Sequence, residues 1–163
     1  MISQNVQNAL NAHMQAEHYS SYLYLAMAAW CDELNYKGFG RWLRVQSAEE
    51  REHANKLMQF TLDRGGKPQF KSIEAPPAQF GSVAEVFDAV LKHERHVTSL
   101  VHKLYETART DNDLATETFL HWFINEQVQE EATALEIAEK LRMVGDRPGA
   151  ALYLDKEYGK RQP

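Results

Sequence analysis

Four stripes of apolar side chains recur along this chain at alternating steps of three and four residues. Each stripe is broken near its middle by side chains that bind metals. The first is Val6, Leu10, His13, Glu17, Ser20, Tyr24, Met27 and Cys31. The second is Phe39, Leu43, Gln46, Glu50, His53, Leu57 and Phe60. The third is Val83, Phe87, Val90, Glu94, Val97, Val101, Leu104 and Ala108. The fourth is Leu120, Phe123, Gln127, Glu130, Ala134, Ile137, Leu141 and Val144. Such spacing puts each set on one face of a helix. Glu17, Glu50, His53, Glu94, Gln127 and Glu130 therefore face a core. A buried carboxylate without a partner is very costly. Positive charge must sit among these acids, and a pair of metal ions is the simplest source.

The rest of the chain punctuates these stripes into an all-α fold. Four long helices are expected at about 5–34, 38–64, 83–109 and 113–144, and a short one at about 148–158. Ser3 or Asn5 can cap the first. Asn35-Tyr36-Lys37-Gly38 is a short link. Gly65-Gly66 ends the second helix, with Pro68 beyond it. Ser82 and Glu85 form a capping box for the third. Thr110-Asp111-Asn112 is a tight turn, Gly145 ends the fourth helix and Pro148 opens the fifth. Residues 66–82, with Pro68, Pro76, Pro77 and Gly81, carry no helical stripe. Short links make the first and second, and the third and fourth, antiparallel neighbours. A helix of about thirty residues is roughly 45 Å long. An extended connector of about seventeen residues reaches roughly 55 Å, enough to run the length of the bundle. Two hairpins joined by one long crossover is the arrangement of ferritin-like bundles.

The interruptions share a height. The long helices centre near residues 19, 51, 96 and 128, within about three residues of Glu17, Glu50, Glu94 and Glu130. The midpoint of each helix lies at the same level whichever way it points, so the four acids converge. Glu50 and His53 are spaced i, i+3 and project together. Four carboxylates carry the charge that two divalent cations balance. Oxygen-rich ligation with one imidazole suits iron or manganese, and zinc can compete. The expected division is Glu17, Glu50 and His53 on one ion and Glu94 and Glu130 on the other, with Glu50 bridging. Gln127 is neutral and reads as an outer or weak ligand. Tyr24 lies two turns from Glu17, where it can hydrogen-bond a ligand or supply an electron.

At these residues the chain resembles the bacterial non-haem ferritins over essentially its whole length. The matching segments are Glu17 with Tyr19-Ser20-Ser21-Tyr22, Ala29-Trp30-Cys31, Glu49-Glu50-Arg51-Glu52-His53, Glu94, Trp122 with Glu126-Gln127-Val128-Gln129-Glu130-Glu131, and Tyr153-Leu154-Asp155-Lys156-Glu157. The resemblance implies a four-helix bundle with a short fifth helix, assembled as a hollow homo-oligomer of twenty-four subunits. It implies a cytoplasmic iron-storage protein that binds two Fe²⁺ within each subunit. These are oxidised with dioxygen or peroxide, and Fe³⁺ is stored as a mineral. The family's ferroxidase ligands transfer onto Glu17, Glu50, His53, Glu94, Gln127 and Glu130. A third iron position would fall on Glu49, Glu126, position 129 and Glu130. Position 129 is Gln here where the family commonly has an acid, which argues against full occupancy. Haem is not expected, because Arg51 and Glu52 stand where the haem-binding relatives place a methionine. A cysteine-bound iron domain like that of the rubrerythrins cannot be built from one cysteine.

Each feature alone has a plainer explanation. A single Glu17 or Glu94 can reach water from the edge of a core. His53 can be a satisfied core histidine, Glu126, Glu130 and Glu131 a solvated face, and Tyr24 and Trp122 packing residues. His13, His18, His93, His96, His102 and His121 show no partner spacing and read as structural or surface groups. These explanations would have to hold independently at four matched heights. The net charge of −5 and the lack of a basic stripe argue against a nucleic-acid partner. No apolar run approaches the length of a membrane span. The N-terminus shows no leader segment, and Cys31, the only cysteine, suits a reducing compartment. Two other function classes remain open at this point: a di-iron oxidase acting on an organic substrate, and a helical bundle that binds no metal.

Overall fold

The computed structural model describes all residues from 1 to 163. It contains five helices: α1 (Gln4–Glu33), α2 (Lys37–Asp63), α3 (Val83–Thr110), α4 (Leu114–Val144) and α5 (Pro148–Tyr158). The helix ends follow local chemistry. Ser3 rather than Asn5 caps α1, accepting from the backbone of Val6 at 3.1 Å. Ser82 and Glu85 close a reciprocal capping box on α3, and Asp113 accepts from Thr116 N at 3.1 Å to start α4. Asn35 and Asn112 turn the chain with φ of 66° and 54°, a left-handed conformation that asparagine tolerates.

α1 packs on α2 and α3 on α4, and α1 and α3 hold the two hairpins together. Contacts between helix ends give the directions. Ser3 at the start of α1 hydrogen-bonds Asp111 at the end of α3. Arg64 at the end of α2 pairs with Asp113 at the start of α4, 2.9 Å apart. α1 therefore runs antiparallel to α3 and α2 to α4, and the short links make α1 and α2, and α3 and α4, antiparallel as well. The crossover runs the length of α1. Its backbone meets Gln7 at Lys67 (2.8 Å), Asn11 at Gln69 (2.8 Å) and Gln15 at Ser72 (2.8 Å). Trp30 Nε1 donates to Gly81 O at 2.7 Å near the far end. Residues 7, 11 and 15 lie one helical turn apart, so one face of α1 supplies a ladder of side-chain partners to a strand-free segment. This satisfies polar backbone that would otherwise depend on water.

The apolar stripes are buried except at two ends. Phe60 and Val144 are only partly covered. Phe60 instead stacks on Phe119, with ring centroids 3.8 Å apart, and Thr61 is buried beside it with its hydroxyl on Leu57 O. The core falls into two apolar clusters. One surrounds Tyr24, Phe39, Trp42, Phe87 and Ile137; the other surrounds Leu10, Leu57, Val101, Leu120 and Phe123. Between them lies a polar layer containing Glu17, Gln46, Glu50, His53, Glu94, Gln127 and Glu130, all buried.

α5 rests on α2 and α4. No side chain of its own segment caps α2. Asp155 of α5 does so from outside, accepting from Phe39 N at 2.8 Å. The approach is so close that a Cβ on Gly38 would sit 1.8 Å from Asp155 O. Gly38→Ala should therefore push α5 off α2 and cost about 1–3 kcal/mol. Hydrogen exchange should show residues 148–158 losing protection while the four long helices keep theirs; unchanged protection would refute the docking role given to Gly38.

Candidate metal centre

The polar layer is assembled by one turn from the middle of each long helix. Ligand atoms of Glu17, Glu50 and His53 all lie within 4.8 Å of one another. So do those of Glu50, Glu94 and Glu130. Glu50 belongs to both groups. The four carboxylates are buried, Glu17 completely and Glu130 most openly at 8% exposure.

Side-chain donors hold most of these oxygens. Gln46 Nε2 donates to Glu50 Oε1 and to Glu130 Oε2, each at 2.8 Å. His53 Nδ1 lies 3.2 Å from Glu50 Oε2. The Tyr24 hydroxyl donates to Glu94, not to Glu17 on its own stripe. Gln127 Nε2 lies 3.1 Å from the other Glu94 oxygen. Glu17 is the exception, since neither of its oxygens accepts a hydrogen bond. His13 Nε2 comes within 3.0 Å of Glu17 Oε1 but off the line of a hydrogen bond, and both ring nitrogens of His13 are also unpartnered. Fully buried polar atoms left without partners are rare and need an explanation. Oxygen donors converging with one imidazole and lacking protein partners suit a divalent cation.

The third position is arranged differently. His53, Glu126 and Glu130 offer atoms within 4.8 Å of one another. Gln129 is exposed. Glu49 is engaged elsewhere, in an ion pair with Arg161 Nη2 at 2.5 Å. Trp122 packs edge-on against His53, with centroids 5.3 Å apart. A cleft of about 410 Å³ opens beside them, lined by Glu49, Glu52, His53, Lys56, Trp122 and Glu126 among others.

Residues 7–144 match the Ferritin family, described as a ferritin-like domain. A bacterial non-heme ferritin of Bacteroides fragilis is 40% identical over 161 residues, which cover 99% of this chain and 100% of that relative. Another, from Staphylococcus aureus, is also 40% identical over 161 residues, covering 99% of this chain and 97% of the relative. This chain belongs to the ferritin family. The open-pore ferritin of the hyperthermophilic archaeon Archaeoglobus fulgidus superposes with a TM-score of 0.98 at 46% identity, over 99% of this chain and 100% of that one. A humanized archaeal ferritin gives 0.98 at 45% identity, over 99% and 98%. The architecture is thus the ferritin four-helix bundle, with a long crossover and a short fifth helix.

Three polar side chains in or beside this ferritin's polar layer are not singled out by the sequence reading. Gln46 lies on the second stripe, but only the fold shows that its amide ties Glu50 to Glu130. His13 stands one turn before Glu17, a spacing that was available as a signal. His93 is drawn inward by Ser20, 2.8 Å away, and packs edge-on against Tyr24.

The electrostatics of the layer follow from burial. Burial pushes the carboxyls of Glu50, Glu94 and Glu130 up to about 8, helped by the like charges of their neighbours. Burial also drives Glu17 upward, but the His13 and His53 imidazoles pull it below its ordinary value. Burial depresses His53, and the carboxylates of Glu50, Glu17 and Glu130 overcome it, lifting the imidazole to about 9. Burial, with Glu94 and Glu50 nearby, holds the Tyr24 phenol well above its usual value.

Without metal, this ferritin should lose stability as pH rises. The folded state keeps protons on Glu50, Glu94 and Glu130 that the unfolded chain releases near 4.5, so the destabilisation grows from there to about 8. His53 acts in the same direction: its contribution is complete below 6.5 and is lost by about 9. The melting temperature of chelator-treated protein should fall between pH 4.5 and 9, and Zn²⁺ or Co²⁺ should restore it, most at the alkaline end. A flat profile would contradict the burial argument.

Proposed function

We propose that the two overlapping groups form the di-iron ferroxidase centre of this ferritin. Glu17, Glu50 and His53 hold one Fe²⁺, Glu50, Glu94 and Glu130 the other, and Glu50 bridges them. Gln127 stays outside the ligand set, because its amide is spent on Glu94. The protein oxidises this iron and stores the Fe³⁺ product as a mineral. Two Fe²⁺ give up one electron each, and dioxygen or peroxide accepts the pair. The iron is substrate and cargo, delivered as a cation and passed inward. The observation that carries this reading is Glu17: a fully buried carboxylate with no hydrogen-bond donor, facing the Glu50–His53 pair.

The protein's part in the reaction is geometric and acid–base. Cation binding discharges the protons that burial holds on Glu50, Glu94 and Glu130, so metal uptake should release acid. Gln46 keeps Glu50 and Glu130 in register whether or not they are charged. Tyr24 fixes Glu94 and stands within reach as an electron donor. The cleft beside His53 carries the carboxylates of Glu49, Glu52 and Glu126, which suit the passage of cations.

Anaerobic Fe²⁺ followed by air should give a fast phase of about two irons oxidised per subunit. Glu50→Ala and His53→Ala should slow it by more than the ~10–100-fold typical of losing an outer partner. Tyr24→Phe should slow it by roughly 10-fold and leave the two-iron amplitude intact. Wild-type rates in both Glu50→Ala and His53→Ala would show that the centre lies elsewhere.

The working form is a homo-oligomeric shell of twenty-four subunits in the cytoplasm. Support comes from family membership and from α5, which is too short to be stable alone. Its Leu152 and Tyr153 are 53% and 64% exposed on the subunit. Leu152→Glu combined with Tyr153→Glu should yield smaller assemblies by light scattering, with the helix content of the subunit retained. A full-size shell in that variant would remove α5 from the assembly contacts.

A further inference from the structure

The C-terminal tail places a permanent cation against the metal centre. Past α5 the chain turns back over α2, and Arg161 lies over the Trp42 ring at 4.5 Å. Its guanidinium forks. Nη2 pairs with Glu49 Oε2 at 2.5 Å, and Nη1 donates to Gln46 Oε1 at 2.8 Å. An arginine side chain has donors only, so the Gln46 amide must turn its oxygen to Arg161. Its NH₂ then points the other way, and both hydrogens are used, on Glu50 and Glu130. One tail residue thereby sets the orientation of the amide that links two proposed iron ligands. The same residue neutralises the acid that a third ion would need.

We propose that Arg161 is a tethered cation that occupies the Glu49 carboxylate and limits this ferritin to two metal ions per subunit. This rests on the two-ion centre proposed above. Without the guanidinium, Glu49 would be free to join His53, Glu126 and Glu130 along the cleft, three residues that already converge within 4.8 Å. Gln129, at the position where the resemblance expects an acid, is exposed and uncharged and supplies no carboxylate. Arg161 and Gln129 thus act in one direction. Arginine suits the task because it stays charged at every working pH and its planar fork engages two acceptors at once.

The test counts ions rather than turnover. Full-length metal-free protein is dialysed against Zn²⁺, which has no redox chemistry, and bound metal per subunit is measured. Wild type and Gln129→Glu should each take two ions, because Arg161 still holds Glu49. Gln129→Glu with Arg161→Ala should take three. The inference is overturned if Gln129→Glu alone takes three, or if the double variant still takes two. Circular dichroism of the double variant should match wild type, since Arg161 lies outside every helix. Glu50→Ala separates this inference from the reading beneath it. If wild type takes two ions and Glu50→Ala loses them, the two-ion centre stands whatever the Arg161 variants show. If wild type takes none, both fall.

Discussion

Four acids buried at one level are the constraint to which the rest of the molecule answers. They divide the core into two apolar clusters and interrupt the packing of every long helix. A layer of this kind cannot be a source of stability by itself, because each ionised carboxylate loses more solvation than its neighbours return. The chain manages it by three means. Protons stay on Glu50, Glu94 and Glu130 up to about 8. His53 carries a proton up to about 9 and faces Glu17, Glu50 and Glu130. The amides of Gln46 and Gln127 and the Tyr24 phenol donate to Glu50, Glu130 and Glu94, and only Glu17 is left without a donor. Protons and the proposed metal ions would compete for the same oxygens.

The position of each acid was legible in the sequence because two simple regularities coincide. A stripe at steps of three and four names the inward face, and the midpoint of a helix names its height. Glu17, Glu50, Glu94 and Glu130 satisfy both, and the structure brings all four into the polar layer. The crossover was legible from its length and its prolines. Its partners on α1 were not, because Gln7, Asn11 and Gln15 look like ordinary surface residues until a second chain segment lies on them. The stripes failed only at their ends: Phe60 and Val144 belong to the pattern but lie where the bundle no longer encloses them.

What escaped the sequence were the hydrogen bonds that distant polar residues make to the layer. Gln46 sits on the second stripe, yet nothing in its spacing says that it ties Glu50 to Glu130. Arg161 stands in a short polar tail with no periodicity at all, and its bond to Glu49 spans 112 positions. His13 is a different case. It was one turn from Glu17, within the reach of an i, i+4 rule, but lone histidines on an apolar stripe are usually packing residues. Its two unpartnered nitrogens set it apart, and those appear only when burial is known.

The placement of Arg161 depends in turn on how α5 is docked. Asp155 supplies the N-terminal cap that α2 lacks, and it does so across a contact that admits no side chain at Gly38. A Cβ on Gly159 would come within 2.7 Å of Gly38 Cα, so glycine is needed on both sides of this crossing. The crossing fixes the point from which the tail departs, and so the reach of its guanidinium to Gln46 and Glu49. The outer side of the same helix exposes Leu152 and Tyr153, the surface assigned to subunit contact. One short helix therefore joins three tasks: it caps α2, exposes the apolar face proposed for subunit contact and aims a cation at the proposed centre. Loosening α5 at Gly38 should for that reason disturb the orientation of Gln46 as well, although none of the iron ligands proposed for the centre lies in α5.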